Sequence, residues 1–378
     1  MALRGFQNFL FIPRRFKTNI PQTIWEKVGR NLHRRQHHPL NIIKCQVENF
    51  FKKEYPEANF SVFDNLPPKV SVQQNFDELL IPDEHPSRSW NETYYVDENT
   101  VLRCHTSAHQ CELIKAGHHN FLATGDVYRR DEIDKTHFPV FHQMEGVRLF
   151  DKEQLSKFST ETDKVQFIEE DLKSTLEKLT LTLFGDTEMR WVDAYFPFTD
   201  PSFELEIKFR GEWMETLGSG VVQQAILENC GKSDLQGWAF GIGLERLAMS
   251  LFQIPDIRLF WTEDDRFHRQ FKTSDYSSII FQPYSKYPPV QRDVSFWIPA
   301  EFHENVFHEL VRDVAGDLVE ESKLVDNFYN PKLEQTSHCY RITYRSMDRS
   351  LTNAEVDGVH NKLREKVVSE LKASLRWQ

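Results

Sequence analysis

Val127-Tyr128-Arg129-Arg130-Asp131-Glu132 and, after a short polar loop, Phe141-His142-Gln143-Met144-Glu145-Gly146 form the most informative stretch of this chain. Both ends read as strands with charge gathered between them, so the spacing predicts a β-hairpin. Arg129 and Gln143 fall on opposing strands, which lets one surface hold an anion and a polar head group together. Cross-strand ion pairs on a solvated sheet would explain Arg beside Glu. They explain poorly why Arg, Gln, His and Glu collect next to the aromatic Phe141.

C-terminal to the hairpin, Phe203, Leu205, Ile207 and Phe209 alternate with Glu204, Glu206, Lys208 and Arg210, a two-faced antiparallel strand. Arg210-Gly211-Glu212 reads as a turn into a second strand, from Trp213 to Leu217. Gly218 and Gly220 are expected to lead into a helix ending near Gly231. A short strand, Gly237 to Gly241, then feeds a helix carrying Leu244, Leu247, Ala248 and Leu251. On the N-terminal side, Thr23-Ile24-Trp25-Glu26 and the run from Ser107 to Gln110 read as capping boxes. Pro39 suits a first helical position, ahead of the stripe Leu40, Ile43, Val47, Phe50 and Phe51. Residues 64–90 read as irregular connections, and 163–184 as an amphipathic helix stopped by Gly185. Beyond Pro283, Pro288 and Pro289 the order is strand, helix, strand, strand, helix, strand, the ferredoxin-like split motif.

The chain has 378 residues, 46 Lys+Arg and 57 Asp+Glu, for a formal charge of −11. That length suggests two or three domains, and the acidic balance argues against a non-specific nucleic-acid coat. Cys45, Cys104, Cys111, Cys230 and Cys339 include no CxxC pair, so reduced thiols are expected rather than a zinc site or disulfide framework. No run approaches the ~20 apolar residues of a membrane span, so a soluble protein is expected. Met1 to Trp25 holds no Asp or Glu, and Arg4, Arg14, Arg15 and Lys17 alternate with apolar residues. Such a basic, amphipathic start is similar to a mitochondrial transit segment, expected over residues 1–18. There is no GxxxxGK[ST], HExxH or GxSxG, and Gly241-Ile242-Gly243 lacks the third glycine of a dinucleotide fingerprint. His37-His38 and His118-His119 lack carboxylate or thiolate partners at fixed spacing and read as exposed polar residues.

The arginine-bearing hairpin, followed by Gly241-Ile242-Gly243-Leu244-Glu245-Arg246, resembles motifs two and three of class II aminoacyl-tRNA synthetases. The helix after His38-Pro39-Leu40 resembles motif one. His105-Thr106-Ser107, Phe141-His142-Gln143-Met144-Glu145-Gly146 and Tyr195-Phe196-Pro197-Phe198 narrow the resemblance to phenylalanine–tRNA ligases, and the attached ferredoxin-like unit to their single-chain mitochondrial branch. The resemblance implies an α+β fold: an antiparallel class II sheet flanked by helices, plus a C-terminal ferredoxin-like α/β sandwich. It implies an N-terminal helical extension over 19–36, a catalytic domain over 37–275, a linker over 276–289 and an anticodon-binding domain over 290–378.

What the resemblance implies about chemistry is ATP-dependent transfer of phenylalanine to tRNA(Phe) through an adenylate, in the mitochondrial matrix, with Mg²⁺ and without a protein subunit partner. Arg129, Arg246 and His137 would act on the phosphates; Phe141 and Glu215 would complete the ATP site, Arg246 stacking on adenine opposite Phe141. Glu215 and Asp200 would be the magnesium carboxylates. For phenylalanine, Gln143 and Glu145 would receive the ammonium, with Ser107 and His105 near the carboxylate and His109 and Gln110 along that wall. Phe196 and Phe198 would meet the substrate ring, and Ala239 and Phe240 would shape the pocket floor. Arg341, Arg345 and Arg349, on and just after a strand that alternates with Tyr340, Ile342 and Tyr344, would contact tRNA. Two other readings stay open: another class II-type adenylate-forming ligase, and an RNA-binding paralogue without catalysis.

Overall fold

The computed structural model of the chain describes residues 18–273, 275–276, 279–283 and 287–376. The expected transit segment, but for Thr18, lies outside these residues. The first strands are β1 (Ser61–Phe63), β2 (Lys69–Ser71), β3 (Tyr95–Asp97), β4 (Thr100–Leu102), β5 (Asn120–Tyr128) and β6 (Val140–Phe150). They are followed by β7 (Met189–Phe196), β8 (Thr199–Phe209), β9 (Glu212–Val222) and β10 (Gln236–Gly243). The last four are β11 (Val290–Trp297), β12 (Val319–Asn330), β13 (Gln335–Tyr344) and β14 (Ser374–Leu375). The main helices are α1 (Pro39–Glu54), α2 (Gln110–Lys115), α3 (Glu161–Phe184), α4 (Gln224–Asn229), α5 (Leu244–Phe252), α6 (Glu304–Ala315) and α7 (Asn353–Ser369).

A seven-stranded sheet in the order β1-β5-β6-β10-β9-β8-β7 forms the larger unit, antiparallel except where β1 joins β5. Alternation divides its side chains between two faces. One face carries Leu205, Leu217, Trp238, Phe240 and Ile242 into a core with Leu40, Ile43 and Val47 of α1, Leu172 and Leu176 of α3, and Leu247 of α5. On the other face α2 and α4 cover only one end, over Phe121, Val147 and Ala239. Beyond them Arg103 lies over Gly125 and Phe196 over Gly218, and open space remains above Gly241 and Gly243.

Several local signals act as expected. Pro39 opens α1, and the structure adds two reciprocal caps that were not expected, Thr160 with Asp163 on α3 and Thr352 with Glu355 on α7. Arg210 and Gly211, at φ 53° and 90°, make the tight turn between β8 and β9 that right-twisted strands favour. Others differ. Gly218 and Gly220 do not end a strand; β9 runs through both, because β8 and β10 pair along its length. Neither early capping box forms: Pro21, not Thr23, precedes the short turn Gln22–Trp25, and Ser107 lies inside a 3₁₀ turn. The stretch read as irregular contributes β2 to a three-stranded sheet with β4 and β3. His38 is buried, its ring accepting from the Leu40 amide at 3.3 Å while its other nitrogen meets the Phe260 carbonyl at 2.9 Å. Capping α1 gives that histidine a role inside the protein.

The C-terminal unit follows the split order, with its strands arranged β12-β13-β11-β14 and α6 and α7 packed on them. Tyr340, Ile342 and Tyr344 turn inward beside Phe296, Phe307 and Leu363. This unit is docked on the hairpin loop: Ile133 enters its core, and the Ser322 amide donates to the Ile133 carbonyl at 3.0 Å. Arg312 donates to the carbonyls of Asp131 and Glu132. No helix among the described residues is long and apolar enough to cross a membrane.

Candidate active site

The open face is floored by small residues. In β6, Phe141, Gln143 and Glu145 point to one side, and their cross-strand partners there are Gly125 and Ala123 on β5 and Gly243 and Gly241 on β10. Gly218 on β9 faces Gly241 in turn. A Cβ added at Gly241 or Gly243 would meet nothing, so open space stands directly above the backbone. At Gly218 it would fall 2.8 Å from the Phe196 ring, which lies across this floor. These glycines were missed as site elements. Their signal was the Gly-x-Gly spacing inside strands, which marks close approach of another group to the backbone.

One end of the floor is basic and aromatic. Arg129 follows β5 directly; its guanidinium sits 5.1 Å from the Phe141 ring centre and its Nε donates to the Cys104 carbonyl at 2.8 Å. Burial pulls its pKa below the ordinary arginine value, against the attraction of Cys104, Asp131 and Glu215. Glu215 also accepts from Arg246 Nη1 at 3.1 Å, so Arg129, Glu215 and Arg246 share one field beside Phe141. Glu245, next to Arg246, is buried and accepts from the His142 amide at 2.8 Å and pairs with its Nδ1 at 2.7 Å. That contact ties the start of α5 to the strand bearing Phe141. Glu204 on β8 is raised, first by burial and then by Glu215 and Glu206. Glu204 is a further residue missed from the sequence, where its alternation read only as a solvated face.

The other end is enclosed. Glu145 is buried, with Oε2 unpartnered, and burial pushes its carboxyl up to about 8 against a hydrogen bond from Ser107. Gln110 is buried too, its Oε1 without a partner. Burial and then Arg129 hold His105 down to about 3, so this ring is neutral. Its ring centre lies 6.3 Å from that of Phe198, which stacks at 5.8 Å on Phe196. His109 bonds Arg103 Nη1 at 3.0 Å, and Arg103 in turn grips Asp126 Oδ1 at 2.8 Å, both fully buried. This pair was also missed; an arginine between Leu102 and Cys104 was its only mark. Arg103 lies over Gly125, where a Cβ would fall 1.9 Å from its Nη2.

Four expected residues lie elsewhere. Phe240 faces the opposite side of β10 from Ala239 and stacks on Phe51 at 5.6 Å, as strand alternation requires of adjacent residues. His137 bonds Asp134 at 2.7 Å, which raises its pKa, and lines a cavity with Lys27, Arg258 and Asp317 at the junction with the C-terminal unit. Asp200 is exposed on β8, six residues from Glu206, the partner of Glu215. At ~3.3 Å per strand residue that separates it from Glu215 by about 20 Å. Arg345 meets Glu320 at 2.8 Å, a carboxylate that also takes Arg258 at the junction. Arg341 pairs with Asp293 through two bonds of 2.9 Å, and Arg349 with Glu355 at 2.9 Å.

An antiparallel sheet with an arginine on a strand–loop–strand and a second arginine opening a helix defines the class II synthetase core. Residues 26–271 match the family model for the tRNA synthetases class II core domain (F), and residues 285–376 that for the ferredoxin-fold anticodon binding domain. The chain is 54% identical over 95% of its length to the chloroplastic/mitochondrial phenylalanine–tRNA ligase of Arabidopsis thaliana, covering 82% of that protein. It is 52% identical to the mitochondrial enzyme of Mus musculus and 38% to that of Saccharomyces cerevisiae, over 95% of the chain in each case and 86% and 92% of those proteins. The chain belongs to the mitochondrial phenylalanine–tRNA ligase family.

Proposed function

We propose that this chain joins phenylalanine to its tRNA in mitochondria, in two steps on the open face of the sheet. The observation that carries the reading is the meeting, on one glycine-floored surface, of Arg129 over Phe141 at one end and the buried Glu145 with its partner Ser107 at the other. In the first step the phenylalanine carboxylate attacks the α-phosphorus of ATP, a mixed anhydride forms and pyrophosphate leaves. Side chains need do little covalent work, so positioning and charge neutralisation dominate.

Arg129 is the donor for the α-phosphate, where a planar fork suits a charge-rich transition state. Adenine takes the Phe141 ring, with Arg246 released from Glu215 to cover it. Glu145 and Gln143 receive the substrate ammonium; a carboxyl near 8 is one that an arriving cation ionises. Phe196 and Phe198 take the ring, and Ala239 leaves room for it. The crowding of Glu204 by Glu215 and Glu206 suits a divalent cation held by hard oxygen donors. Mg²⁺ bound by Glu204 and Glu215 would offset phosphate charge; Asp200 is too distant to share it. The acyl group then passes to the 2′-hydroxyl of the terminal ribose. The C-terminal unit takes the tRNA, Arg341 and Arg349 exchanging their carboxylates for phosphates.

The test is phenylalanine-dependent ATP–pyrophosphate exchange, followed by charging of total mitochondrial tRNA with each amino acid in turn. Charging with phenylalanine is expected. Exchange driven by another acid, or by none, would overturn the proposal.

A further inference from the structure

One carboxylate beneath the floor of the site joins the two stretches of chain that carry the adenine subsite. The β6–β10 ladder ends with Gln143 opposite Gly243, where the chain leaves β10 and turns into α5. His142, the next residue of β6, lies past the last pair on that side, and its amide donates to Glu245 Oε2 at 2.8 Å. A carboxylate only accepts, so the His142 ring donates as well, from Nδ1 to Oε1 of the same group at 2.7 Å. Both side chains are buried. Alternation turns the His142 ring to the side of β6 away from Phe141 and Gln143, so the contact is made under the open surface and not on it. There the ring centre lies 5.3 Å from that of His33 and 6.0 Å from that of Trp261, and Nε2 has no hydrogen-bond partner among the described residues.

Phe141 precedes His142 and Arg246 follows Glu245, so each is one peptide unit, about 3.8 Å between Cα atoms, from this contact. Arg246 is half-exposed and is held by the Glu215 carboxylate at 3.1 Å and the Glu215 carbonyl at 3.3 Å. Turning it onto adenine breaks those bonds, and the first turn of α5 must then be held by something else. Leu244 and Leu247 bury that turn in the core, but apolar burial is non-directional and tolerates rotation and sliding. Two charge-assisted bonds to both oxygens of one carboxylate set direction as well as distance. A role in stability alone is the plain alternative for any buried pair. It fits less well here, since a neutral acceptor would satisfy one amide without the cost of burying a charge.

We propose that Glu245 and His142 are positioning residues for ATP: the carboxylate fixes the first turn of α5 to β6, so that Arg246 and Phe141 meet the two faces of adenine at a set separation. Neither residue touches substrate. The inference rests on the proposed function, which puts adenine between those two side chains. It goes further in making the spacing of the subsite depend on a contact below the floor, and not on the two walls alone. Because the contact acts by geometry, losing it lets Arg246 shift; a misplacement of ~1 Å is enough to raise the KM for ATP about tenfold or more. The end of the site around Glu145 and Ser107 is on other elements, so the KM for phenylalanine holds.

Phenylalanine-dependent ATP–pyrophosphate exchange is measured on the full chain and its variants, at varied ATP and at varied phenylalanine, with the melting temperature alongside. Glu245→Ala, and Glu245→Asp, which withdraws the carboxylate by ~1.5 Å, should each raise the KM for ATP about tenfold and leave the KM for phenylalanine unchanged. Glu245→Gln keeps an oxygen for the His142 amide and offers its NH2 to Nδ1, so its KM for ATP should stay near the parent value. A merely structural pair would lower the melting temperature and leave both KM values where they are, and that result would overturn the proposal. So would both KM values rising together, or a Gln variant as poor as the Ala variant. If no variant folds, hydrogen exchange in the unmutated protein decides. The His142 amide is expected to be protected with and without adenosine; rapid exchange in the free protein would show that no fixed contact presets the subsite. A parent protein without phenylalanine-dependent activity removes the ligase reading and this proposal together, whereas normal parent activity with unshifted KM values in the variants removes the proposal alone.

Discussion

Glu145 is a carboxyl kept where water cannot solvate its charge, and its pKa of about 8 follows from that burial. The folded value stands above the ordinary 4.5, so the protonated form adds stability that is complete below about 4.5 and lost as pH rises through 8. Glu145→Gln imitates the protonated form. Its melting temperature should therefore gain on the parent protein between pH 6 and pH 9, a gap that scanning fluorimetry measures directly. A constant gap would mean that Glu145 titrates as an exposed carboxylate. Arg129 poses the complementary test. Its Nε holds the Cys104 carbonyl, so Arg129→Ala gives up one hydrogen bond but the whole cationic surface over Phe141. Pyrophosphate exchange should fall by about 10²–10³-fold, while the denaturation midpoint moves little. Arg129 and Glu145 were both legible in the sequence, because charge next to an aromatic in a strand pair has few structural uses. Glu204 was not; its alternation with Phe203 and Leu205 identified a polar face without saying what that face meets.

Strand β10 illustrates how an element sorts its residues. Ala239 and Phe240 are neighbours, so alternation puts one above the sheet and the other below it. Phe240 stacks on Phe51 and would clash with any Cβ at Gly146, whose added carbon would lie 2.2 Å from the ring. Phe240→Ala should therefore cost about 3–5 kcal/mol in a urea melt and leave the choice of amino acid alone. Ala239→Gly should do the reverse, admitting para-substituted phenylalanines in a charging assay with a small loss of stability. If Phe240→Ala relaxed specificity instead, the assignment of faces would be wrong. The existence of this strand was legible from Gly237 onward, but its two sides were not told apart, since Ala239 and Phe240 were both expected at the pocket floor. Which side is open was not legible either, because that depends on where α2 and α4 end. The same holds for Gly218 and Gly220, which look like helix-leading glycines until β8 and β10 pair across them.

At the scale of the molecule, one buried arginine joins the two units. Arg258 holds Asp256 at 2.8 Å, Glu320 at 3.3 Å and the Val319 carbonyl at 3.0 Å. Tyr94 adds a 2.6 Å bond to Glu309, which also faces Arg130. Removing one member of a buried ion network leaves the others without compensation. Arg258→Ala should cost about 3–5 kcal/mol by denaturant melt, and increased proteolysis near the linker would locate the damage at this junction. Arg345 belongs to the same network, which is why a residue that looked like part of an RNA-binding face lies against the catalytic unit. The sequence by itself determined most of the longer elements, the hairpin with its arginine and the split order of the last unit, since these are properties of neighbouring residues and their spacing. Only the tertiary structure decided that Arg246 meets Glu215 and that the second unit closes on the hairpin loop. Those contacts join segments tens to hundreds of residues apart, and their energy depends on register and packing that no local pattern encodes.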